Sequence, residues 1–102
     1  IHIDDLISAH FSALKKLEDL DGHNIFNIGT GKKNSVMTII KTFSKVNKVS
    51  VPFSFYNRRQ GDISVCYADP KKAEAILGWS AKYNLEEICR DAWEGALKRF
   101  RK

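Results

Sequence analysis

The chain has 102 residues, room for one small domain, with 43% hydrophobic residues, 28% charged residues and a formal net charge of +5. That composition excludes disorder, and no apolar run approaches the roughly 20 residues that cross a bilayer. The basic residues fall in scattered doublets, such as Lys15-Lys16, Lys32-Lys33 and Arg58-Arg59, so an anionic partner is permitted without being specified and no polybasic tail is indicated.

Ile1 to Ile3 predicts a short strand, and Asp4 or Asp5 predicts the cap of a helix running to about Leu20. Leu6, Ile7, Phe11, Leu14 and Leu17 recur in it at helical spacing. Asn24 to Ile28 alternates polar and apolar residues and predicts a second strand, which runs into the turn Gly29-Thr30-Gly31. Ser35 is the expected cap of the next helix, whose stripe is Val36, Ile39, Ile40, Phe43 and Val46. Val51 to Tyr56 predicts a third strand with Pro52 at its start, followed by a polar loop from Asn57 to Ser64. Asp69-Pro70 opens a short helix that stops at Gly78. Asn84, with Glu87 three residues on, opens a last helix whose apolar face runs from Leu85 to Phe100. The expected fold is therefore a small α/β unit with a few short strands and about four helices, in a single domain over residues 1–102.

Most polar residues have a structural reading. His2, His10 and His23 lack metal-ligand spacing, and Asp4-Asp5 and Glu86-Glu87 read as helix caps. Cys89 lies on an apolar helical face and reads as a buried thiol, while Cys66 and Cys89 together resemble neither a secreted framework nor a zinc site. Gly29-Thr30-Gly31 lacks the third glycine of a dinucleotide fingerprint, since Asn34 stands there, and reads first as a structural turn.

The loop Arg58-Arg59-Gln60-Gly61-Asp62 carries more chemistry. Guanidiniums suit phosphate because their planar fork donates paired hydrogen bonds, and a carboxylate accepts from sugar hydroxyls. The competing reading is a solvated loop in which Asp62 pairs with an arginine. Basic charge with Tyr56, Tyr67 and Tyr83 also keeps open a stand-alone nucleotide- or nucleic-acid-binding module without catalysis, although no nucleic-acid recognition motif is present.

The run from Arg58-Arg59-Gln60-Gly61-Asp62 through Asp69-Pro70-Lys71-Lys72-Ala73 to Leu77-Gly78-Trp79 resembles the C-terminal segment of the UDP-glucose 4-epimerases, members of the extended short-chain dehydrogenase/reductase family. Ile1-His2-Ile3-Asp4-Asp5-Leu6, Phe26-Asn27-Ile28-Gly29-Thr30-Gly31 and Asn34-Ser35-Val36 match the same family in the same order. The resemblance implies a nucleotide-sugar-binding domain in which Arg59 contacts the diphosphate, Asp62 a ribose hydroxyl, and Cys66 lines the pocket. It implies UDP-glucose and UDP-galactose as substrates, interconverted in galactose metabolism. NAD would be held by an N-terminal Rossmann domain of the intact enzyme and not by this chain, and a homodimer is compatible with the family. The catalytic Tyr-x-x-x-Lys of the family and its Ser/Thr partner have no counterpart here, so the chain alone is expected to be inactive. Other sugar-nucleotide enzymes of the extended reductase family remain an alternative. Ile1 in place of Met is read as a piece of a longer chain, and the protein as soluble and cytoplasmic, with neither nucleic acid nor membrane as partner.

Overall fold

The computed structural model describes residues 1–100. Four α-helices lie along the chain: α1, Ile3–Lys16; α2, Val36–Asn47; α3, Lys71–Leu77; and α4, Leu85–Phe100. A 3₁₀ turn, Leu17–Asp19, follows α1 directly. Among the described residues there are no β-strands, which overturns the expected α/β class and its strands at residues 1–3, 24–28 and 51–56. The physical reason is a missing ladder. A strand needs a second backbone alongside it, and the backbone hydrogen bonds outside the helices only close turns or helix ends, such as Asp62 N–H to Arg59 O and Leu20 N–H to Leu17 O. Residues 24–28 keep their alternation for another reason: Phe26 and Ile28 are half-buried against helical side chains while Ile25 and Asn27 face out. The run from Phe53 to Tyr56 is exposed throughout.

The chain divides into two compact units, one of Ile1–Lys32 and Tyr67–Asn84, the other of Lys33–Cys66 and Leu85–Lys102. In the first unit α1 packs on α3, and Ala9, Ala73, Leu77 and Trp79 form the core. Here α1 departs from expectation twice. Its cap is His2, whose Nδ1 accepts from Asp4 N–H at 3.0 Å, so Ile3 is helical and the two aspartates sit in the first turn. Its buried residues are Asp5 and Ala9, whereas the apolar stripe Ile7, Phe11, Leu14 and Leu17 is exposed.

Asp5 is the central anchor of that unit. Its carboxylate is 2% exposed and accepts from Lys82 N–H at 3.1 and 3.0 Å and from Tyr83 N–H at 3.0 Å. The indole N–H of Trp79 donates to Asp5 O at 3.1 Å and to Ser8 Oγ at 2.8 Å. A buried charge is tolerated because backbone donors replace the water it has lost. The His2 ring stacks on Tyr83 with centroids 4.0 Å apart.

In the second unit α2 packs against α4. Ser35 caps α2 as expected, accepting from Thr38 N–H at 3.0 Å, and Lys48 ends it in the left-handed region at φ 53°. Phe43 meets Trp93 edge to face at 5.6 Å, and the Asn47 side-chain amide donates to Cys89 O at 3.2 Å. Cys89 is buried and unoxidised, and desolvation pushes its thiol up from the usual range. No helix among the described residues is long and apolar enough to cross a membrane.

Candidate nucleotide-binding loop

The polar residues after Tyr56 leave the chain without apolar anchors, so their conformation rests on their own hydrogen bonds. Gly61 has φ 88°, a value that side-chain-bearing residues rarely adopt, and Asp62 N–H donates to Arg59 O at 3.2 Å. This closes a turn over Arg59-Gln60-Gly61-Asp62 with glycine at the third position. A Cβ on Gly61 would meet nothing within 4 Å, so the glycine is required by backbone conformation and not by space.

The turn brings Arg59 and Asp62 together. Arg59 Nε donates to Asp62 Oδ2 at 3.1 Å, with the two side chains 85% and 39% exposed. The pairing expected of a solvated loop is thus present, but it engages one nitrogen and one oxygen. Among the described residues, the terminal nitrogens of Arg59 and Oδ1 of Asp62 carry no hydrogen bond. A cation with two terminal nitrogens to donate and a carboxylate with an oxygen to accept therefore stand side by side in solvent.

Arg58 behaves differently. Its Nη2 donates to Asp62 O at 3.2 Å and to Ser64 Oγ at 2.8 Å, across the base of the same turn. The sequence offered two arginines without distinguishing them; an arginine whose span matches a carbonyl and a hydroxyl beyond the glycine was the available signal. Cys66 is exposed and no hydrogen bond joins it to the Arg59–Asp62 pair.

The glycine turn of the other unit is closed by packing. A Cβ on Gly29 would lie 2.7 Å from Ala68 Cβ, and one on Gly31, at φ 75°, would lie 3.2 Å from Pro70 Cδ. Lys32 N–H is taken by Thr30 Oγ1 at 3.2 Å. Both glycines serve contact with residues 68–70, as a structural turn requires. The expected cap of α3 is also shifted: Asp69 Oδ1 accepts from Lys71 N–H at 3.1 Å, while Pro70 occupies the cap position. Among the described residues no group of three or more His, Cys, Asp or Glu side chains could hold a metal.

Comparison with known proteins places these features in a family. The family model described as GDP-mannose 4,6 dehydratase matches residues 3–92. The UDP-glucose 4-epimerase of Bacillus subtilis (strain 168) is 47% identical over 93 residues, which cover 91% of this chain and 27% of that protein. The crystal structure of UDP-glucose 4-epimerase from Bifidobacterium longum in complex with NAD+ and UDP superposes with a TM-score of 0.85 at 34% identity, over 96% of this chain and 29% of that one. The Brucella ovis UDP-glucose 4-epimerase, solved with NAD, gives a TM-score of 0.80 at 36% identity, over 88% of this chain and 28% of its own. The chain thus spans somewhat over a quarter of the length of the relatives it matches. With nine-tenths of its length inside the family model, the chain belongs to the GDP-mannose 4,6 dehydratase family of extended short-chain dehydrogenase/reductases, where the relatives it matches are UDP-glucose 4-epimerases.

Proposed function

We propose that this chain is the C-terminal, UDP-sugar-binding part of an NAD-dependent UDP-glucose 4-epimerase, and that the loop from Arg58 to Cys66 contacts the nucleotide. The observation that carries this reading is the Arg59–Asp62 pair across the Gly61 turn, exposed and bonded through a single contact. The terminal nitrogens of Arg59 would donate to the diphosphate as a planar fork. Asp62 Oδ1 would accept from a ribose hydroxyl while Oδ2 keeps Arg59 oriented. Cys66 would line the pocket beside them. The choice of UDP over other anions is supported by the Bifidobacterium longum relative, solved with UDP.

The reaction assigned to the intact enzyme interconverts UDP-glucose and UDP-galactose, with NAD supplying a hydride acceptor when bound. The residues of this chain do not fit NAD. In its one Gly-x-Gly turn the glycines pack against Ala68 and Pro70, and Asn34 stands where a dinucleotide fingerprint has its third glycine. We assign NAD, and any catalytic acid/base, to a Rossmann part of the intact enzyme, and we assign this chain the tasks of binding and orienting substrate. The chain alone is then inactive.

A titration of the ¹⁵N-labelled chain with UDP tests the assignment. Amides of residues 57–66 should shift while those of residues 29–32 stay in place, and UDP-galactose with added NAD should not turn over. Shifts centred on the glycine turn, or turnover by clean protein, would overturn it.

A further inference from the structure

We infer that Arg58 is a positioning residue for nucleotide binding, a brace that holds the turn in which Arg59 and Asp62 face their ligand. The inference rests on the nucleotide-binding reading of this loop and adds a division of labour between two adjacent arginines. The two have similar chemistry and opposite bonding. Arg59 spends one N–H on a side chain, Asp62 Oδ2 at 3.1 Å. Arg58 uses both hydrogens of one nitrogen on acceptors of the loop itself, Asp62 O at 3.2 Å and Ser64 Oγ at 2.8 Å.

The placement of those acceptors matters. Asp62 is held at three points: its N–H by Arg59 O, its carboxylate by Arg59 Nε, and its carbonyl by Arg58 Nη2. Two of these are internal to the four-residue turn. The third, from Arg58, also ties in Ser64 and so fixes the direction in which the chain leaves the turn. The loop has no apolar anchor of its own, since residues 57–66 are all exposed. Without the brace, Gly61 is free to visit other backbone conformations, and ordering the turn becomes a cost of binding. Both planar forks of a guanidinium use Nη2, so with that nitrogen committed twice Arg58 can offer phosphate only single contacts through Nε or Nη1, whereas Arg59 keeps its terminal fork.

A mutant cycle tests this on the whole chain with UDP as the probe. Arg58→Ala should raise the Kd for UDP roughly three- to tenfold, the size expected for losing a hydrogen-bonded constraint. Ser64→Ala should raise it less, and Arg58→Ala/Ser64→Ala should bind as Arg58→Ala does, because both substitutions remove the same link. The ³¹P shift of UDP at saturation should match the parent in Arg58→Ala and change in Arg59→Ala. A wild-type Kd in Arg58→Ala, multiplicative losses in the double variant, or a ³¹P shift lost in Arg58→Ala would each overturn the proposal. The ligand-free loop gives an independent readout: the Asp62 amide should exchange faster in Arg58→Ala than in the parent, and unchanged exchange would also overturn the brace. If the parent chain gives no response to UDP, the nucleotide reading fails, and the amide exchange still decides whether Arg58 braces the turn.

Discussion

In the unit of Ile1–Lys32 with Tyr67–Asn84, an aspartate is buried among backbone donors; in the unit of Lys33–Cys66 with Leu85–Lys102, an aspartate stands in solvent beside an arginine. Asp5 and Asp62 are the same chemical group used for different ends. Asp5 accepts from the N–H groups of Lys82 and Tyr83, more than seventy positions away in sequence, and so ties two distant stretches of chain together. Asp62 is paired with a residue three positions away and leaves one oxygen open. A carboxylate enclosed by donors contributes to stability, and one held at the edge of a turn remains available to a ligand. On the proposed reading, Asp5 serves stability in the first unit and Asp62 serves recognition in the second.

Removing Asp5 should have the largest effect. Asp5→Ala removes the carboxylate that accepts from the backbone N–H groups of Lys82 and Tyr83, and should cost about 2–4 kcal/mol of stability. A thermal melt compared with that of the parent measures it. A loss below about 1 kcal/mol would mean that water replaces the carboxylate and that Asp5 is no anchor.

Substitutions at two glycines should have the next largest effects, of opposite sign. Gly29→Ala should destabilise by about 1–3 kcal/mol, because its Cβ would come within 2.7 Å of Ala68 Cβ. Gly95→Ala, in α4 with nothing within 4 Å of the added carbon, should instead stabilise by about 0.5–1 kcal/mol. Denaturant midpoints for the two variants check both signs. Equal effects at the two positions would remove the case that packing at residues 29 and 68 holds the first unit together.

The helices were legible in the sequence and the strands were not, and the reason is in where each interaction closes. Ser35 and Gly78 act within a turn of the residues they cap, so local sequence carries their whole message. A strand is completed by a distant backbone, and the alternation at 24–28 reflects packing of Phe26 and Ile28 on helices without such a partner. The apolar stripe of α1 misled in a related way, since Leu14 and Phe11 are exposed while Asp5 and Ala9 face the core. A buried carboxylate is recognised only once the N–H groups of Lys82 and Tyr83 are seen beside it. In the candidate loop, Arg59, Gly61 and Asp62 were marked by chemistry and spacing, and they meet in one turn because all their bonds are local. The distinct bonding of Arg58 was not marked, because adjacent arginines look alike until their acceptors are known.

The smallest expected effect on stability bears most directly on the central claim. Arg59→Ala removes an ion pair whose arginine is 85% exposed, so the melting temperature should stay close to that of the parent. Calorimetric titration of this variant with UDP, alongside its melt, separates recognition from stability in one protein. The expected result is an unchanged melt with UDP binding lost or weakened at least about tenfold, the size of a lost charge-assisted contact. UDP binding equal to that of the parent would contradict it and place the nucleotide elsewhere on the chain.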